Sequence, residues 1–118
     1  MKSYSSREVL KILNEYFYIA IFTFEDDGIH VTFPDLAGCV TFGKNEREAY
    51  FMAQEVLKLH LYGMEEDELE IPVASSIKTL SESENLASNE VFAMINVSMS
   101  AFRDEQNKKF SSELNTAI

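Results

Sequence analysis

Basic residues are scarce in this chain: ten lysines and arginines stand against twenty aspartates and glutamates, a formal charge of -10 at pH 7. A surface of that sign is repelled by phosphate backbones, which argues against nucleic acid as a direct ligand and for a basic partner. Cysteine is almost missing. Cys39 stands alone, so no internal disulfide and no thiolate metal cluster can be assembled, as suits a reducing compartment. Long hydrophobic runs are also lacking: the longest, residues 16–24, is too short to span a bilayer as a helix, and the opening MKSYSSREVLKI has no signal-peptide core. The expected location is the cytoplasm, with no membrane partner. What is present, 118 residues of which 46% are hydrophobic, suffices for one compact domain with a real core but hardly for two.

The periodicities order the chain. Ser5 or Ser6 can cap a short leading helix over residues 1–15, since Val9, Leu10, Ile12, Leu13 and Phe17 recur at roughly helical spacing. Residues 16–24, YFYIAIFTF, are aromatic and β-branched at both parities, which predicts a central strand covered on both faces. Glu25-Asp26-Asp27-Gly28 has turn chemistry, and Ile29, Val31 and Phe33 then alternate with polar residues, so a β-hairpin follows. Pro34-Asp35-Leu36-Ala37-Gly38 interrupts the ladder, and Cys39 to Phe42 resumes it as a short third strand before Gly43. Asn45 and Glu48 stand in capping-box spacing ahead of a helix with Ala49, Met52, Ala53, Val56, Leu57 and His60 on one face, closed by Gly63 as a left-handed cap. The acidic and Ser-rich stretch 70–89 reads as flexible loop, and Val91 to Met99 alternates as a fourth strand. The fold class is thus α+β: a leading helix, then β-β-β-α-β, with the main helix on one face of a four-stranded mixed sheet.

One main helix cannot cover both faces of such a sheet, and Tyr50, Phe51, Leu59 and Leu61 on that helix look exposed as well. Either the apolar stripe is simply wide, or the leading helix, a second copy or another protein covers the remainder. A homodimer or higher homo-oligomer is the expectation among those partners. Cys39 has no Cys-His signature beside it and reads as a small buried hydrophobe, not a nucleophile. His30 and His60 lack a recognised metal-ligand spacing. No enzyme activity, metal or cofactor is expected.

Residues 18–49, YIAIFTFEDDGIHVTFPDLAGCVTFGKNEREA, contain the pattern F-P-D-L-x-G-C-x-T-x-G, and with it the chain resembles the HicB-like antitoxins of toxin-antitoxin systems. The resemblance covers residues 16–102 and implies a partial RNase H-like fold. It also implies a function: binding and neutralising a HicA-like mRNA interferase toxin by masking its active or RNA-binding surface. The alternative is an orphan regulatory or scaffold domain without a toxin. Glu25, Asp26, Asp27, Phe33, Asp35 and Leu36 are the expected partner-binding residues, and Pro34, Gly38, Cys39 and Gly43 the structural part of the motif. For the acids, ordinary turn chemistry and solvation stays open beside that reading, and for Phe33 and Leu36 a place in the core. The fold also suggests a metal-dependent nuclease, but residues 16–24 hold no carboxylate to begin a metal site, and the acids of 65–70 fall in a loop. Many relatives carry a DNA-binding module after the domain; residues 103–118 are expected to form a short helix or frayed tail, too short for one, so DNA binding is doubtful.

Overall fold

The computed structural model describes residues 15–116, with side chains to residue 109. The leading helix expected over 1–15 lies outside them but for its last residue. Phe17, which the helical spacing drew toward that segment, belongs to the first strand. Four strands form one sheet: β1 (Glu15–Glu25), β2 (Gly28–Thr32), β3 (Val40–Gly43) and β4 (Glu90–Ser98), in the order β3-β2-β1-β4. The helices are α1 (Glu46–Glu66), α2 (Ile77–Ser83) and α3 (Met99–Thr116).

Every pairing is antiparallel, which corrects the expected mixed sheet. The cause lies in the connection to β4. A strand-helix-strand unit with a short return would set β4 parallel to β3 and β1. Here α1, about 30 Å long at 1.5 Å per residue, carries the chain from the end of β3 along the sheet, and residues 67–89 carry it back. β4 therefore enters beside the end of β1, where the Phe24 amide donates to Asn89 O at 2.8 Å. It then runs against β1 in an unbroken register from Thr23↔Glu90 to Glu15↔Ser98.

The sequence explains where the core sits. Ala49, Ala53, Leu57 and Leu61 recur every four residues and form the buried stripe of α1. Leu61 is thus core, contrary to the exposure expected of it, while Tyr50, Phe51 and Leu59 do face outward. Beneath α1 lie Tyr16, Tyr18, Ala20 and Phe22 of β1, with Val31 and Ile95 from its neighbours. Each fully buried leucine there contributes about 2 kcal/mol. Ile19 and Ile21 point away from α1; they are buried outside that cluster, as is Leu80 of α2.

Asn45 caps α1, its side chain accepting from the Glu48 amide at 2.9 Å. The helix does not stop at Gly63. It runs on to Glu66, and the left-handed residue is Glu68, at φ 55°. The stretch expected as loop contains α2, whose cap is Ser76, the side chain accepting from the Thr79 amide at 3.1 Å. Of the short helix or frayed tail expected at the end, the structure has the helix, longer than expected at eighteen residues and starting directly after β4. It is held to α1 by Arg103, whose guanidinium donates to both Glu65 oxygens at 3.2 and 2.7 Å, and by Phe102 packed edge-on against Tyr62.

Candidate protein-interaction surface

The β1–β2 turn gathers the acids. Glu25 pairs with Gly28 at the end of the ladder, and Asp26 and Asp27 project from the turn between them. Gly28 is demanded here twice over: its φ is +140°, and a Cβ on it would stand 2.5 Å from the Phe42 ring and 2.7 Å from Gly43 O. With Thr23 and His30, the three carboxylate residues line a shallow hollow. His30 Nε2 lies 3.3 Å from Asp27 Oδ1, a contact between exposed groups that is worth little in water. Its ring meets Phe42 edge-on at 5.2 Å, which orients it across the sheet.

The tip is anchored although its acids are free to reach outward. Asn89 Nδ2 donates to Phe24 O at 3.0 Å. Thr23 Oγ1 and the Ala87 amide both donate to Glu90, each at 2.9 Å. These bonds, the Ala87 amide foremost, hold the Glu90 carboxyl below its ordinary pKa. The arrangement offers exposed carboxylate acceptors on an anchored turn to guanidinium or ammonium donors. Among the described residues, no group of three or more His, Cys, Asp or Glu could hold a metal ion.

The other sequence-predicted residues lie elsewhere. Asp35 sits past the far end of β2 and is engaged internally: Oδ2 accepts from the Ser75 amide at 2.7 Å and Oδ1 from its hydroxyl at 2.8 Å. Phe33 and Leu36 are buried in the core under α1 and offer almost no surface. Gly38 has φ +83°, and Pro34 is half-buried beside the turn it starts. Gly43 allows the first turn of α1 to approach, since a Cβ would fall 2.3 Å from the Ala49 amide nitrogen. Cys39 is fully buried near Val56 O, and burial pushes its thiol up to about 11, so it holds almost no thiolate near neutrality. The motif thus builds the loop under α1, while the acidic turn stands at the opposite end of β2.

Reading along the chain missed a second feature. An open groove lies between α1 and β1–β4, lined by Phe22, Phe24, Tyr50, Val91 and Ala93, with Glu46 and Arg47 at its rim. Phe24 and Tyr50 remain 38% and 42% exposed there. Only the register, which sets Phe22 opposite Val91 and Ala20 opposite Ala93, brings these residues together.

A family model described as the HicB_like antitoxin of bacterial toxin-antitoxin systems matches residues 17–115. An uncharacterized 14.9 kDa protein in the rep-hol intergenic region of Haemophilus phage HP1 is 38% identical over 53 residues, 45% of this chain and 40% of that protein. The chain therefore spans less than half the length of this relative. Among solved structures, a chain of a toxin-antitoxin complex from Streptococcus pneumoniae is similar at TM-score 0.64 and 21% identity, over 87% of this chain and 96% of that one. The N-terminal domain of the Burkholderia pseudomallei antitoxin HicB is similar at TM-score 0.58 and 19% identity, over 70% and 98%. A chain of a HicA3 and HicB3 toxin-antitoxin complex follows at TM-score 0.51 and 16% identity, over 68% and 95%. At these identities the structures speak for the shared fold.

Proposed function

The chain belongs to the HicB-like antitoxin family of bacterial toxin-antitoxin systems, and from that premise we propose that it binds a HicA-like mRNA-cutting toxin and neutralises it by masking the active or RNA-binding surface. The observation that carries this reading is the anchored acidic turn. Glu25, Asp26 and Asp27 stand out from a rigid hairpin on a chain of charge -10, placed to occupy positions that RNA phosphates would take on a basic toxin. Phe33 and Leu36 hold the loop under α1 at the other end of β2, and Asp35 fixes residue 75 there, so their part is structural. The action is stoichiometric masking without catalysis, and a partner that cuts mRNA places it in the cytoplasm. The partial RNase H-like description applies to the three-stranded meander and α1 that follows it.

The test is co-expression with a HicA-like toxin, followed by growth and co-purification. Wild type restores growth and is recovered with the toxin. A Glu25→Gln, Asp26→Asn, Asp27→Asn triple variant keeps the wild-type melting temperature but binds at least about tenfold more weakly, a loss of ~1.4 kcal/mol. Toxicity that the intact chain leaves unrelieved would refute the assignment.

A further inference from the structure

β4 has β1 on one side, and among the described residues no strand pairs with its other side. Unpaired edges of this kind are templates for another chain, and proteins usually blunt them with lysine, proline or a bulge. β4, EVFAMINVS, contains no lysine and no proline, and its register with β1 runs without interruption. Apolar side chains flank the edge on both faces: Val91 is 47% exposed on the α1 side and Met94 53% on the other.

Two hydrogen bonds define how much of the edge is open. Gln54 Nε2 reaches over from α1 and donates to Asn96 O at 3.1 Å, so the backbone groups of Asn96, and by strand alternation those of Phe92 and Met94, point away from β1. At the other end the Glu90 amide donates to Ala87 O at 3.0 Å. Between these closed ends the outward groups without a partner among the described residues are the N–H and C=O of Phe92 and Met94, disposed symmetrically about Ala93. A two-fold axis through Phe92 would call on the Glu90 amide, and one through Met94 would call on Asn96 O. An axis beside Ala93 centres the pairing on the four outward groups of Phe92 and Met94.

Charge selects the occupant. The only charged side chain of β4 is Glu90, and both its carboxylate oxygens already accept hydrogen bonds within the chain. A basic protein finds no counter-charge along Val91–Ile95. A second copy brings the same neutral, alternating apolar strand, and antiparallel pairing about a two-fold sets like against like. We infer that two copies of this chain pair through β4, with Phe92 of each opposite Met94 of the other, joining the two sheets into one. A stable dimer buries on the order of 800 Å² per copy, more than one strand edge offers. The two-fold puts both α1 helices on the same face of the joined sheet, so the groove beside Tyr50 and Val91 extends the contact. Glu25, Asp26 and Asp27 take no part in the pairing, so it stands or falls apart from toxin binding.

The full chain is examined by sedimentation equilibrium and by cysteine cross-linking. Across the axis the two Ala93 residues form a non-hydrogen-bonded pair, whose Cα atoms lie about 4.5 Å apart and within disulfide reach. Ala93→Cys gives a covalent dimer under mild oxidation, while Leu59→Cys, exposed on α1, gives none. Met94→Pro removes an outward N–H without touching the β1 ladder, and Met94→Lys charges the edge; both raise the dimer dissociation constant at least about tenfold, with the far-ultraviolet spectrum unchanged. The inference is overturned by a wild-type monomer at micromolar concentrations, by a dimer indifferent to both Met94 variants, or by an Ala93→Cys cross-link that forms only to a basic partner protein.

Discussion

Cys39 shows how much one side chain can decide. It sits inside a motif that could suggest reactivity, yet burial both removes it from solvent and raises its thiol from an ordinary value near 9 to about 11. The folded chain therefore holds the proton more tightly than the unfolded chain does. This contribution to stability is complete below the unfolded value and is lost as pH climbs through the window from 9 to 11. The urea midpoint of the wild type should fall across that window more steeply than that of Cys39→Ala, the difference vanishing at neutral pH apart from a constant offset. A thiol reagent should label the native chain only at the rate of unfolding. Rapid labelling of the folded protein would show that the site opens locally, and the buried-hydrophobe reading would fail.

The elements divide by whether their cause is local. β1, β2, β4 and α1 were legible because alternation, the capping box at Asn45 and the four-residue stripe each fit within a short window of sequence. The turn acids were legible for the same reason, whereas Glu90 and the Tyr50 groove were not, since they join the surface only through the β1–β4 register. The direction of β4 depends on residues 67–89, and that path is fixed by ties no window contains: the Tyr18 hydroxyl donating to Pro72 O, and Asp35 accepting twice from Ser75. The docking of the start of α3 on α1 depends likewise on Arg103 meeting Glu65. Asp35→Ala leaves the Ser75 amide and hydroxyl without their acceptor, at a cost of about 1–3 kcal/mol. Hydrogen exchange should show the loss first in residues 69–76, with the β1–β4 amides still protected. Uniform loss of protection would mean that the tie is not local to the connection.

At the scale of the molecule the decisive quantity is the field of twenty acids against ten bases. Between exposed charges such a field acts at distances of about 10 Å at 0.1 M salt and only ~3 Å at 1 M. It therefore governs how fast a basic partner is captured more than how long it stays. Stopped-flow association with the proposed toxin partner should slow by about one to two orders of magnitude between low and high salt, while dissociation changes little. The Glu25→Gln, Asp26→Asn, Asp27→Asn variant should show a shallower slope, because it removes three charges from the surface nearest the encounter. Tyr50→Ala, in the neutral groove, should leave that slope unchanged, since it removes no charge. An association rate insensitive to salt would mean that the acids shape the turn and nothing more, and the partner's recognition would then have to be sought on the apolar surface beside α1.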